Sequence, residues 1–258
     1  VVGENRILAF HGLKQLNQNP SVGLQAIVDI CGLSGREISM SDIIFKIGPR
    51  INASGRMESG KESVDLLVER DLATALLEAK HIDKYNDKRK DVDRQMTEEA
   101  NQIVERLESQ KHQNSIVLYD EHWKKGVIGI VASYYRPTIV ITREGDLATG
   151  SARTAAGFDL YSAIESCSDL LTNFGGHTYA AGLTLKWENV KEFQNRFQQY
   201  VDEHIEPYQT EATLDIDAVI DFKDITKKFH NDLKRFAPFG PENVKPLFCT
   251  KEVFDFGT

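Results

Sequence analysis

The chain has 258 residues, 41% hydrophobic and 27% charged, which predicts about two folded units at roughly 100–200 residues per domain and excludes wholesale disorder and collagen-like structure. No apolar run nears the roughly 20 residues of a membrane span, no charged-then-apolar leader opens the sequence, and a start at Val1 without Met leads us to expect a piece of something longer. With 31 Lys and Arg against 39 Asp and Glu the formal charge is −8, which taken alone argues against a nucleic-acid partner, because phosphate binding draws on Lys and Arg.

Cys31, Cys167 and Cys249 lie far apart with no CxxC pair, which excludes a zinc ribbon and predicts buried thiols in a reducing cytoplasm. Residues 5–33 read as helices, with Leu8, Leu13, Leu16, Leu24, Ile27, Val28 and Ile30 at helical spacing, broken at Asn17-Gln18-Asn19-Pro20. Ser41-Asp42 offers an N-cap for a short helix that Gly48-Pro49 would stop near Ile47. Between Lys61 and Lys125 there is neither Gly nor Pro, and Leu72, Leu76, Ala79, Ile82, Val92, Met96, Ala100, Ile103 and Leu107 form one narrow apolar stripe. Some 36 residues of helix would reach roughly 54 Å, long enough to join two domains or to pair as a coiled coil. The stripe slips at Arg89, which favours the connector.

Beyond it strands and helices alternate, the mark of an α/β domain. Ile116–Tyr119, Thr138–Thr142 and Ala180–Leu185 read as strands; Val127–Ala132 opens a helix, and Asp159–Leu171 and Val190–His204 read as helices. The tail changes character, with short β-like runs at Ala212–Ile216 and Leu247–Thr250 around a helix.

Three loops could hold anions. Phe174-Gly175-Gly176-His177-Thr178-Tyr179-Ala180-Ala181-Gly182 joins glycines that allow close backbone approach to a histidine that can donate to a phosphate; a tight turn with a surface histidine is the alternative. Arg50-Ile51-Asn52-Ala53-Ser54-Gly55-Arg56 places two guanidinium forks and an amide in what reads as a Gly-containing loop, against a plain solvated basic loop. Gly150-Ser151-Ala152-Arg153, just after a strand, could hold one phosphate or be an ordinary turn. His122-Trp123 could stack on a base or place Trp123 in the core. Asp215 and Asp217 face one side of a strand-like run, and His11, His81, His112, His204 and His230 stand alone. There is no Walker loop, GxSxG, HExxH or metal-spaced His/Asp run, so the catalytic centre is expected elsewhere, upstream.

In this order Gly3-Glu4-Asn5-Arg6, Arg50–Arg56, the long helix, Trp123–Ala132, Gly150–Arg153, Phe174–Gly182 and Phe236-Ala237-Pro238-Phe239-Gly240-Pro241-Glu242-Asn243 resemble the bacterial RecJ exonuclease family of the DHH phosphoesterase superfamily, from Gly3 to about Phe248. The resemblance implies an α/β fold, with a DHHA1-type domain (113–205) joined by a long connector helix (61–112) to the helical end of a DHH domain (1–60) and followed by the start of an OB-fold (206–258). It implies a metal-dependent 5′→3′ single-stranded-DNA exonuclease of repair and recombination, in the cytoplasm, with a single-strand-binding protein and a helicase as further partners. Two Mn²⁺ or Mg²⁺ ions would be held by Asp and His residues of the DHH domain, upstream of Val1, so the chain alone is expected to be inactive. Carried over motif by motif, Arg50, Asn52 and Arg56 would contact the strand or its 5′ phosphate. Ser151 and Arg153 would form the 5′-phosphate pocket. Gly175, Gly176 and His177 would lie against the nucleotide next to the metals, with His177 the one residue here that could take part in catalysis.

One departure is that the family pattern has several more residues between Ser133 and Tyr134. Two other readings stand beside the nuclease: a DHHA1-type nucleic-acid-binding module without nuclease activity, and an oligonucleotide or cyclic-dinucleotide phosphodiesterase. The acid is uneven: residues 1–60 carry 6 Lys/Arg and 5 Asp/Glu, a net of +1, and every later segment is acidic. If most of the DHH domain is missing, the helices of residues 5–47 are expected to show an unpaired apolar face.

Overall fold

The structure, a computed structural model, describes residues 2–108, 113–132, 136–154, 157–206, 209, 214–240 and 242–254. The expected gap between Ser133 and Tyr134, His112, and Ala212-Thr213 of the first tail run lie outside these residues. The chain divides into two compact units, one of residues 1–51, 62–83 and 213–258 and one of residues 52–61 and 84–212.

The first unit begins with α1 (Gly3–Gln18) and α2 (Val22–Ile30). In the last turn of α1 Asn17 folds back: its Nδ2 donates to Leu13 O and Ile38 O at 2.9 Å, and its Oδ1 accepts from Ile38 N at 2.7 Å. The next helix is capped by Ser39 rather than Ser41. Ser39 Oγ accepts from Asp42 N at 3.2 Å while the Asp42 carboxylate accepts from Ser39 N at 3.0 Å, a reciprocal capping box.

Gly48-Pro49 does not stop it. A short α3 (Met40–Asp42) runs through a π-helical turn (Ile43–Ile47) into α4 (Gly48–Met57). Gly48 keeps helical dihedrals and its N–H reaches back five residues to Ile43 O. This wider turn accommodates Pro49, which brings no N–H of its own. The Arg50–Arg56 segment is therefore helix, not loop.

The Gly- and Pro-free stretch is also broken once, into α5 (Lys61–Val68) and α6 (Leu72–Glu108, 37 residues). Glu69 Oε1 takes the N–H groups of Arg70 and Asp71, and Asp71 Oδ2 takes the N–H and the hydroxyl of Thr74. Acidic side chains that capture backbone donors end one helix and cap the next.

Ala26, Ile27, Val28, Leu33, Ile38, Ile47, Leu66, Ala75, Ala79 and Ile82 form the core of this unit. Gly23 lets α2 lie on α5, since a Cβ there would stand 1.9 Å from Leu66 O. Two apolar side chains of this unit stand open, Leu8 of α1 at 69% exposed and Phe45 of the π-helical turn at 75%. In the tail, residues 214–216 are irregular, and the strands are β6 (Ala218–Val219) and β7 (Phe248–Cys249), paired in parallel around α10 (Lys227–Lys234).

The second unit is a five-stranded sheet in the order β1 (Ile116–Asp120), β2 (Thr138–Glu144), β3 (Leu147–Arg153), β5 (Ala180–Lys186), β4 (Leu171–His177). Only β1 and β2 are parallel. Alternation along the strands makes three layers. Val117, Ile139, Ile141, Ala152 and Leu183 face α8 (Leu160–Glu165) and α9 (Val190–His204), where Phe193 and Phe197 are fully buried. Ile116, Leu118 and Val140 face the opposite way, against Ile128 at the start of α7 (Ile128–Val131) and against Met96 and Ala100 of α6. The latter half of the long helix is thus one wall of this unit.

Two strands went unforeseen, β3 and β4, because their glycines read as turns. The helix expected over Asp159–Leu171 is shorter: Asp159 caps α8, which ends at Glu165, and β4 begins at Leu171.

Two tests follow from the first unit. Gly23→Ala forces backbone apart at Leu66 and should cost about 1–3 kcal/mol or more in denaturant unfolding. Asp42 is held well below the usual carboxylate range by hydrogen bonds from Lys46, Ser39 and Arg36. A lowered folded pKa gives stability that is present above the unfolded value of about 3.9 and lost as pH falls through the folded one. Unfolding midpoints should therefore drop below about pH 4, and Asp42→Asn should flatten that dependence while lowering stability at pH 7.

Candidate nucleic-acid-facing site

The Gly-Ser-Ala-Arg and Gly-Gly-His motifs lie side by side in the sheet of the second unit. Ser151 of β3 pairs with Gly182 of β5, and Gly182 pairs with Gly175 of β4. In the same way Arg153 pairs with Ala180, and Ala180 with His177. Directly paired residues share a sheet face. Ser151, Arg153, Gly175 and His177 therefore lie on one face, separated only by the small residues of β5. Ala152, Ala181 and Gly176 alternate to the other side, where Ala152 and Ala181 enter the core. Gly176 (φ 155°) is needed for closeness: a Cβ there would stand 2.3 Å from Ala180 O. The turn beyond is tied down by Thr154 N donating to Tyr179 O at 3.2 Å and Leu160 N to Thr178 O at 3.1 Å.

Helix α7 covers part of this face. A Cβ on Gly129 would meet Ser151 Oγ at 3.0 Å and Arg153 Nη2 at 3.3 Å. Arg153 Nη1 donates to Ser151 Oγ at 3.1 Å and to Ala152 O at 2.7 Å, so the guanidinium is aimed before any ligand arrives. Gly126 sits directly on α4: a Cβ there would be 2.2 Å from Arg56 O, and Arg56 Nη1 donates to Gly126 O at 2.9 Å. Past α7 the face is open, and Asn173, Gly175, His177 and Gly182 are exposed. The result is a polar, small-residue surface with Ser151 and Arg153 at its covered edge, of a kind that suits a phosphate-bearing chain; Arg56 reaches the segment that leads into α7.

Behind it, α6 carries polar groups where its apolar stripe slips. Arg89 Nη1 stands 3.7 Å from Asp93 Oδ2, and Arg89 Nη2 donates to Asn86 Oδ1 at 3.4 Å. Burial pushes the Asp93 carboxyl up, and Arg89 and then Arg56 pull it back. Among the described residues, Arg89 Nε and Asn86 Nδ2 are buried without a hydrogen-bond partner. The sequence gives Arg89 away only as a flaw in periodicity, and nothing local marks Gly126 and Gly129 as close-approach positions.

The other candidates are placed as follows. Arg50 belongs to the first unit, where its Nε donates to Asp83 at 2.8 Å and its Nη1 to Lys46 O at 3.0 Å. Asn52 is exposed on α4. Trp123 is buried, its Nε1 donating to Glu99 at 2.9 Å, so the core reading holds; His122 is exposed. Asp217 accepts from Leu247 N and its own N–H donates to Leu247 O, a contact between the segments that lead into β6 and β7. Of the cysteines, Cys167 is buried and Cys31 and Cys249 half-buried, all free; burial raises the thiols of Cys31 and Cys167. Among the described residues no group of three or more His, Cys, Asp or Glu could hold a metal ion, and no helix is long and apolar enough to cross a membrane.

Comparison with known proteins points one way. The DHHA1 domain family matches residues 112–203, which contain the five-stranded sheet, and the RecJ OB domain family matches residues 216–255. The single-stranded-DNA-specific exonuclease RecJ of Bacillus subtilis is 36% identical over 250 residues, covering 94% of this chain and 32% of that protein. The RecJ of Salmonella typhimurium is 31% identical, covering 95% of this chain and 44% of its own length. The crystal structure of Thermus thermophilus RecJ with Mn²⁺ superposes with a TM-score of 0.84 at 26% identity, covering 96% of this chain and 37% of that one. The chain thus spans a third to under a half of the length of these relatives, and with RecJ proteins and RecJ structures matching it from end to end it belongs to the RecJ family.

Proposed function

We propose that this chain is the strand-holding portion of a metal-dependent 5′→3′ single-stranded-DNA exonuclease of DNA repair and recombination. The observation that carries this reading is the shared sheet face of Ser151, Arg153, Gly175 and His177, with Gly129 seated over Ser151 and Arg153. Its RecJ relatives are named for activity on single-stranded DNA.

In this reading Arg153 and Ser151 hold the 5′ phosphate with two donors already oriented to each other. Arg56, fixed to Gly126 O, adds a cation at the segment that leads into α7. Gly175 and Gly182 keep the face flat so that sugar and phosphate approach the backbone, and His177 lies at its open rim as a donor to the nucleotide. Gly176 acts from the packed side, by letting β4 close on β5. Arg50 in the first unit and Asn52 in the second are each assigned a contact to the strand or its 5′ phosphate. These contacts bind and orient the strand. They favour attack from the phosphorylated end, because a 5′ hydroxyl leaves the Arg153 donors unmatched.

Relatives' structures are solved with Mg²⁺ or Mn²⁺. The described residues offer no cage for such an ion, so we assign the two ions to a DHH domain outside them and give this chain no metal-dependent step. On the same reading residues 1–60 end that DHH domain, 61–112 connect, 113–205 are the DHHA1 domain and 206–258 open the OB-fold. A cytoplasmic setting and partnership with a single-strand-binding protein and a helicase belong to this proposal too.

In the full-length protein, Arg153→Ala should lower the preference for 5′-phosphorylated over 5′-hydroxyl strands by about 10–100-fold in kcat/KM, the size of a lost charge-assisted hydrogen bond. An unchanged ratio would remove Arg153 from the phosphate pocket. Purified alone with Mn²⁺, the 258-residue chain should degrade no single-stranded DNA; metal-dependent digestion by it would overturn the placement of the metal ligands.

A further inference from the structure

Two of the motifs that carry the family resemblance have no part in the phosphate-facing surface: Gly3-Glu4-Asn5-Arg6 and Phe236–Asn243. In the first unit they meet. Arg6 Nη2 donates to the backbone carbonyls of Arg235, Phe236 and Ala237 at 3.3, 3.2 and 3.3 Å. These carbonyls follow the C-terminal end of α10, where helix geometry leaves acceptors unused and the helix dipole is negative.

The acceptors are preformed. Asn243 Nδ2 donates to Phe236 O and Pro238 O at 3.0 Å, and Gly240 and Asn243 exchange backbone hydrogen bonds at 2.9 and 3.0 Å. A rigid turn therefore presents a cluster of carbonyls to one guanidinium. Among the described residues, Arg6 supplies every hydrogen bond between α1 and the tail.

Apolar packing along this seam is partial: Pro238 is buried, beside Phe10 and Leu13. Cavities of about 720 and 560 Å³ open along this seam, and Arg6 lines both. Phe10 and Phe236, at their edges, stay 53% and 57% exposed. Where close packing is missing, a directional polar contact decides position.

We propose that Arg6 is a positioning residue: it clasps the turn after α10 and so holds the tail, the OB-type segment, in place on α1. The part that concerns activity rests on the exonuclease reading above. A strand long enough to reach the OB-fold needs the clasp; one that occupies only the phosphate-facing surface does not. Lysine is a poor substitute, since a single ammonium lacks the planar fork that spans adjacent carbonyls.

The test uses the full-length protein with Arg6→Ala, Arg6→Lys and Asn243→Ala. Amide hydrogen exchange should quicken about tenfold or more across residues 227–240 in Arg6→Ala, less in Arg6→Lys, and remain unchanged across the sheet at 116–186. In kinetics, Arg6→Ala should raise KM about tenfold for strands longer than the roughly 4–16 nucleotides an OB-fold covers, with kcat held, and leave di- and trinucleotide cleavage untouched. Asn243→Ala should reproduce both effects, because it loosens the acceptors instead of the donor. Unchanged exchange at 227–240, or an equal loss on short and long strands, overturns the clasp. Failure of the wild-type protein to cleave either strand defeats the exonuclease reading, and the exchange measurement then still decides the clasp.

Discussion

Backbone proximity that only glycine permits is what the shared sheet face of β3, β5 and β4 and its cover by α7 depend on. Gly126 rests on the Arg56 carbonyl, Gly129 over Ser151 and Arg153, and Gly176 against β5. Each removes the side chain that would hold two elements apart. The consequence is electrostatic as much as steric. Close approach sets the hydrogen bond of Arg56 to Gly126 and that of Arg153 to Ser151 in advance, so these donors need little further ordering.

The same economy of contact explains how an acidic protein can present a cationic edge. The formal charge is −8, but charge acts locally, since exposed charges more than about 10 Å apart are largely screened at ordinary ionic strength. Many of the acidic groups are already engaged, Asp83 with Arg50, Asp42 with Lys46 and Arg36, Asp169 with Arg196. Among the described residues, Arg153 donates to a hydroxyl and a carbonyl rather than to a carboxylate.

Helix α6 serves two cores with one stripe. Ala75, Ala79 and Ile82 belong to the first unit, and Met96 and Ala100 to the second. Between these stretches the stripe slips and Asn86, Arg89 and Asp93 take the inward positions. Such a helix needs no continuous seam, because each half answers to a different partner. That is why it reads as a connector, and also why a coiled-coil repeat fails in it.

Where the signal is periodic, the sequence was enough. The spacing of Leu72 through Leu107 marks α6, and the apolar runs at Ile116 and Thr138 mark β1 and β2. The residue types at Ser151, Arg153 and His177 allow an anion site or an ordinary turn, and only the family resemblance separates the two. Local chemistry misled at glycine and at acidic residues. Gly150, Gly175 and Gly176 read as turns although they lie in strands, since a glycine's preference for a strand comes from the neighbour it must approach and not from its own backbone. Ser39 outcompeted Ser41 as the cap because Asp42 could answer it across one turn. Pairing of β3 with β5 and β4, the seat of Gly129 over Ser151, and the reach of Arg6 to carbonyls some 230 positions away are long-range. No window of sequence contains both partners, so the elements and their chemical types were determined by the sequence itself, while their assembly into one face and one clasp was decided only by the tertiary structure.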